Sequence, residues 1–93
     1  MTKEKIKCIN NSFAFLDRHG VNVTWTVGEE YWLKIDLDNN TLELEHDGGI
    51  TKSCIVGFPS IVLKDVFDYD LFTIKEKAKE LQEKIGRSYE CKY

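Results

Sequence analysis

Few residues in this chain have the types and spacing that chemistry at a protein site requires. The two histidines, His19 and His46, have no cysteine, histidine or carboxylate neighbour at a spacing typical of metal ligands. Cys54 and His46 form a nucleophile and a base only if neighbouring strands bring them together. Cys54 also lies among apolar residues, where burial raises the pKa of a thiol. We therefore predict no enzyme activity and no catalytic, metal-binding or cofactor-binding residues.

The three cysteines give no sign of a disulfide framework. Small secreted domains usually carry an even and dense set of cysteines, whereas Cys8, Cys54 and Cys91 are three in number and widely spaced. The apolar neighbours of Cys8 and Cys54 predict buried thiols, and the position of Cys91 in the tail predicts an exposed one.

The strongest functional signal is a segregation of charge. The chain carries a net charge of −3, yet residues 29–47 hold seven acidic residues against Lys34 alone. Trp32 lies in the opposite phase to its neighbours, so a regular strand points it outward, and exposed tryptophan is typical of binding hot spots. The alternative is that a bulge near Gly28 or the terminal helix covers Trp32. We predict a protein-binding surface formed by Glu29, Glu30, Trp32, Asp36, Asp38, Glu43, Glu45 and Asp47.

Strands of alternating polarity must position this surface. The alternation of apolar and polar residues predicts five strands, at 5–9, 21–27, 31–37, 42–46 and 50–58. Clusters of Asn, Asp and Gly at 38–41 and 47–49 predict tight turns between strands. Residues 11–20 are expected to form a long first loop.

One C-terminal helix is predicted for residues 73–86. Thr73 and Glu76 match a capping box, in which the two side chains bind the first free N–H groups, and Gly86 is placed to end the helix. The apolar residues of this segment form a narrow stripe that fits modest burial. The segment 61–67 is compatible with either a final strand or a helical turn.

Four short motifs carry a resemblance to a known family: KCINNS at 7–12, TVGEEY at 26–31, GFPS at 57–60 and KDVF at 64–67. With these motifs the chain resembles a family of small SH3-like barrel proteins of Firmicutes bacteria and their phages, mostly uncharacterised. The resemblance implies a mainly β fold, with a five-stranded antiparallel SH3-like barrel over residues 5–68. The predicted helix completes a single domain over residues 1–93.

The resemblance and the charge pattern together predict a non-enzymatic protein-binding module. In this interpretation the chain is a phage or mobile-element accessory protein that engages or inhibits a host factor through its acidic hairpin. One alternative is a nucleic-acid-binding barrel that uses the lysines of the N-terminus and of the helix. Another is a structural or oligomeric virion component.

Partners and location are predicted by what the composition lacks. The acidic segment repels phosphate, so we do not expect nucleic acid to be the main partner. No apolar run is typical of a signal peptide or of a membrane span, so we expect a cytoplasmic protein with no membrane partner. The oligomeric state, including a homodimer, is left open.

Overall fold

The computed structural model describes residues 2–11, 14–16, 20–84 and 86. This part of the chain forms six strands followed by two helices, which confirms the prediction of a mainly β domain. The strands are β1 (Thr2–Lys7), β2 (Phe15–Leu16), β3 (Asn22–Val23), β4 (Glu30–Asp36), β5 (Thr41–His46) and β6 (Gly49–Cys54). The helices are α1 (Ser60–Phe67) and α2 (Phe72–Lys84). No helix in the described ranges is long and apolar enough to cross a membrane.

Four of the strands form one antiparallel sheet in the order β1-β4-β5-β6, and β2 pairs with β3 in a separate ribbon. The first strand therefore lies beside the fourth, with Lys5 opposite Trp32. On the other side of β4, Lys34 lies opposite Glu43, which in turn lies opposite Lys52. Closure of the sheet into an SH3-like barrel remains a prediction.

The inner face of the sheet and the two helices enclose the core. Alternate residues of β4, Tyr31, Leu33 and Ile35, are buried because successive side chains of a strand point to opposite faces. The helices cover this face with a buried apolar set, and the core ring of Phe67 contacts the rings of Trp25 and Tyr31 edge-on. The core residues on the helices are Val62, Leu63, Val66, Phe67 and Ala78, and Leu71 joins the core from the link between the two helices.

The strand predictions hold for the hairpin and hold only in part on either side of it, where the strand predicted at 5–9 is observed as Thr2–Lys7. The strands predicted at 31–37 and 42–46 are confirmed within one residue. The strand predicted at 21–27 is reduced to Asn22–Val23, which pairs with the two-residue strand β2, and the chain then turns at Gly28 with a φ of 95°. The strand predicted at 50–58 ends at Cys54, where a turn begins that buries Ile55.

The helix predictions are confirmed in position and corrected in detail. The ambiguous segment 61–67 is helical, and α2 covers most of the predicted range 73–86, of which residue 85 lies outside the described residues. Asp70, rather than Thr73, accepts the first free N–H group, that of Phe72, at 3.0 Å. The Thr73 hydroxyl instead donates to the second carboxylate oxygen of Asp70 at 2.9 Å.

Of the cysteine predictions, the one for Cys8 is confirmed and the one for Cys54 is wrong. Cys8 is a free thiol and almost fully buried, as predicted. Cys54 is half-buried and takes part in a disulfide bond, so the prediction of a buried thiol there is wrong. It follows Ile50 and Lys52 at alternate positions of β6, on the side of the sheet away from the core. The prediction for Cys91 lies outside the described residues.

Candidate functional site

The outer face of the four-stranded sheet carries the residues that best fit a binding site. It is the side opposite the core, and the alternation of each strand places one set of side chains there. We call its central part the outer-face patch. The patch consists of Lys3, Lys5, Trp32, Lys34, Glu43, Glu45, Ile50 and Lys52.

Trp32 and Ile50 form the apolar centre of the patch. They lie on β4 and β6, with Glu45 of β5 between them, and their exposed fractions are 40% and 57%. Both line a groove of about 270 Å³. Of the two alternatives for Trp32, the structure shows the outward one, and no described helix covers the side chain.

The ammonium groups of two β1 lysines lie over the Trp32 ring. The Nζ atoms of Lys3 and Lys5 lie 4.7 and 5.2 Å from its centroid, the geometry of a cation–π contact. The pairing of β1 with β4 creates this arrangement, because Lys5 lies directly opposite Trp32 and Lys3 lies opposite Lys34. Neither ammonium group forms an ion pair with a carboxylate among the described residues.

The two carboxylates of the patch are engaged within the sheet. Glu43 forms ion pairs with Lys34 at 3.2 Å and with Lys52 at 3.5 Å. Oε1 of Glu45 accepts the backbone N–H of Trp32 at 3.3 Å. Exposed ion pairs of this kind contribute about 0–1 kcal/mol each to folding. Four ammonium groups and two carboxylates make the patch locally cationic, although the chain is acidic as a whole.

The other acidic residues predicted for the site are placed around the hairpin rather than together. Asp36 accepts the Nδ2 of Asn39 at 2.7 Å, and this hydrogen bond lowers the pKa of its carboxyl group. Asp47 binds Tyr31 and the Thr26 hydroxyl through its two oxygens. The remaining three are exposed, Asp38 in the turn before β5 and Glu29 and Glu30 where β4 begins.

Five residues of the patch are absent from the predicted site. The sequence did contain a signal for two of them, Lys3 and Lys5, since lysines recur at positions 3, 5 and 7 with the period of a strand. Whether these lysines belong to a site depends on which strand pairs with β1. That strand is β4, which begins more than twenty residues after β1 ends. The residues concerned are Lys3, Lys5, Lys34, Ile50 and Lys52.

The structure does not bring together the nucleophile and base considered for catalysis. His46 faces the core at one end of the β5–β6 ladder, and its Nδ1 accepts the backbone N–H of Gly48 at 3.0 Å. Cys54 lies at the other end of the ladder, on the other face. No group of three His, Cys, Asp or Glu residues in the described chain could hold a metal ion.

A second groove, of about 310 Å³, lies between α1 and α2. Its exposed apolar members are Ile61 and Phe72, and Lys64 and Asp70 are at its edge. Lys64 forms an ion pair with Asp68 at 2.9 Å, and Asp70 binds the first turn of α2. The charged groups at this groove are therefore already partnered, in contrast to Lys3 and Lys5.

Comparison of the chain with protein-family models, with curated proteins and with solved structures found no match.

Proposed function

We propose that this chain is a non-enzymatic protein-binding module whose contact surface is the outer-face patch. The observation that carries the proposal is the exposure of Trp32 and Ile50 together in one groove on the outer face of the sheet. Tryptophan contributes more binding energy at protein interfaces than most residue types, above all where a ring of polar groups surrounds it. Lysines and glutamates form such a ring here.

The acidic hairpin has a narrower role in this proposal than its composition suggests. Glu43 and Glu45 belong to the contact surface, while Asp36 and Asp47 hold turns. We further propose that the chain acts as a phage or mobile-element accessory protein that engages or inhibits a host factor. The resemblance of its motifs to phage-encoded barrels is the support for this setting.

Affinity capture from the native host tests the proposal. The tagged wild-type chain is compared with Trp32→Ala, and captured proteins are identified by mass spectrometry. We expect the variant to lose at least one protein that the wild type captures, because the side chain at the centre of the surface is missing. Circular dichroism must show that the variant remains folded, as expected for a residue outside the core.

A matched variant on the other groove provides the control. Phe72 is exposed to 64% and lies on α2, away from the outer face, so Phe72→Ser should capture the same proteins as the wild type. Loss of the partner with Phe72→Ser and retention with Trp32→Ala would place the surface on the helices and contradict the proposal. If the double variant Glu43→Lys, Glu45→Lys captured the same proteins as the wild type, these acidic residues would not be part of the interface.

Nucleic-acid binding is the second candidate, favoured by the contact of Lys3 and Lys5 with Trp32. Bases stack on aromatic rings while lysines meet phosphates. The lysines considered for this function divide between two elements, since Lys3, Lys5 and Lys7 lie on β1 and the others on α2. A mobility-shift assay with single-stranded DNA at low salt tests it, and the absence of a complex at micromolar protein excludes it.

A further inference from the structure

The charges around Trp32 restrict the chemistry of a partner. Resting on the proposed protein-binding function, we infer that the outer-face patch binds an acidic peptide segment. The segment places an apolar side chain in the groove between Trp32 and Ile50 and its carboxylates against Lys3 and Lys5. The partner surface is therefore acidic at this point, although residues 29–47 are themselves rich in acidic residues.

The first step is the state of the two β1 lysines. Their ammonium groups contact the Trp32 ring and have no carboxylate partner among the described residues. A partner that covers Trp32 removes water from both ammonium groups. Removing water from a charge is costly unless an opposite charge replaces it, so the partner must supply carboxylates there.

The second step is the state of the two glutamates. Glu43 already has two ammonium partners, Lys34 and Lys52, and Glu45 already accepts the N–H of Trp32. A partner that covers these two glutamates therefore buries less unpaired charge than a partner that covers the β1 lysines. A partner complementary to the patch therefore carries negative charge.

The third step distinguishes a peptide from a nucleic acid. Across the strands the charged positions run Lys3, Lys34, Glu43, Lys52, so a carboxylate interrupts the row of ammonium groups. A phosphodiester chain carries a negative charge at each nucleotide and would pass over Glu43 and Glu45. A peptide can place carboxylates only at β1 and an apolar side chain over the groove.

Titration with short peptides tests the inference. The probes are the acetylated, amidated peptide Glu-Glu-Leu-Phe-Glu-Glu and matched peptides with Gln or Lys in place of Glu. The readout is the indole N–H resonance of Trp32 in a ¹H–¹⁵N spectrum, assigned with Trp32→Phe. The only other indole resonance is that of buried Trp25, so the two signals are told apart by this assignment.

We expect the acidic peptide to shift the Trp32 resonance and to bind about fivefold more tightly than the Gln peptide, as two exposed ion pairs allow. In Lys3→Ser with Lys5→Ser this preference should disappear. In Lys77→Ser with Lys84→Ser, which removes the same charge from exposed positions of α2, it should remain.

Equal binding of the acidic and Gln peptides, tighter binding of the Lys peptide, or no shift with any peptide overturns the inference. So does a shift produced by a dodecamer of thymidine but not by the acidic peptide, which would favour nucleic acid. If host capture depends on Trp32 but not on Lys3 and Lys5, the protein-binding function stands and the acidic partner is wrong.

Discussion

The hydroxyl of Tyr31 donates a 2.6 Å hydrogen bond to Oδ1 of Asp47. The same hydroxyl accepts the backbone N–H of Thr26 at 2.8 Å, and the Thr26 side chain donates to Oδ2 of Asp47 at 2.9 Å. Both carboxylate oxygens are thus bound. This network joins the turn before β4 to the turn between β5 and β6, at the end of the sheet where Trp25 is buried.

Loss of the Tyr31 hydroxyl should weaken the fold. Tyr31→Phe keeps the ring contact with Phe67 but leaves the Thr26 N–H and one oxygen of Asp47 without this partner. We expect the free energy of unfolding to fall by about 1–2 kcal/mol, measured by urea denaturation. Asp47→Asn, which keeps an acceptor oxygen, should cost less. Equal stability of Tyr31→Phe and the wild type would show that the network does not stabilise the fold.

Stability should decrease in alkaline solution. Burial, followed by the hydrogen bond to Asp47, raises the pKa of Tyr31 above its ordinary value of 10.0. Burial and the nearby Glu4 carboxylate raise the pKa of Tyr69 to about 12. The unfolded chain then loses these protons before the folded chain does, so stability falls as the pH rises above about 10. Denaturation midpoints between pH 8 and pH 12 measure the effect, and Tyr69→Phe should reduce the slope.

Asn40 should be the most sensitive residue of the β4–β5 turn. It is fully buried with a φ of 54°, its carbonyl accepts the Ile55 N–H at 3.1 Å, and its Oδ1 accepts the Val56 N–H at 3.3 Å. Asn40→Ala loses the side-chain bond and strains the left-handed backbone, so we expect a loss of about 2–3 kcal/mol. Asn40→Gly keeps the conformation and should lose about 1 kcal/mol. The reverse order in urea denaturation would contradict this account.

The start of α2 should depend on Asp70 more than on Thr73. Asp70→Ala removes the acceptor of the Phe72 N–H, whereas Thr73→Ala removes only a hydroxyl that donates to Asp70. We expect the lower thermal midpoint for Asp70→Ala. The hydrogen bond from Thr73 lowers the pKa of Asp70, so this contribution should vanish as the pH falls below the ordinary aspartate value of 3.8. A larger effect of Thr73→Ala would contradict this assignment and support the capping box that the sequence predicts.

The cysteines should differ in reactivity. Cys8 is buried, its Sγ donates to the Asn10 carbonyl at 3.4 Å, and burial raises the pKa of its thiol. Iodoacetamide at pH 8 should therefore label Cys8 only after urea is added. Cys54 should react only after a reductant opens its disulfide bond. Peptide mapping by mass spectrometry reads both sites, and labelling of Cys8 in the folded chain would contradict its burial.

The hairpin could be predicted from the sequence because its chemistry is local. Tyr31, Leu33 and Ile35 alternate with exposed or half-buried residues, and the pleat of a strand converts that period directly into two faces. The same rule correctly pointed Trp32 outward. It failed at 21–27, where the apolar alternation continues but Val21 and Val27 are exposed, because no long strand lies beside this segment.

The site could be predicted only in part because its residues meet through non-local pairing. The acidic cluster was visible as composition, but the lysines that neutralise Glu43 come from β4 and β6. The cations at Trp32 come from β1, and no local pattern indicates that β1 pairs with β4. Charge along the sequence therefore gave the wrong sign for the surface around Trp32.

The lysines of β1 also bear on how copies of this chain meet each other. Among the described strands β1 is an edge of the four-stranded sheet, and an unpaired edge can template the growth of a sheet from molecule to molecule. Lys3, Lys5 and Lys7 bring like charges together when two such edges approach, which opposes polymerisation. Replacing them with neutral residues to study binding therefore also removes a barrier to aggregation, and a partner that neutralises Lys3 and Lys5 would have to shield the edge itself.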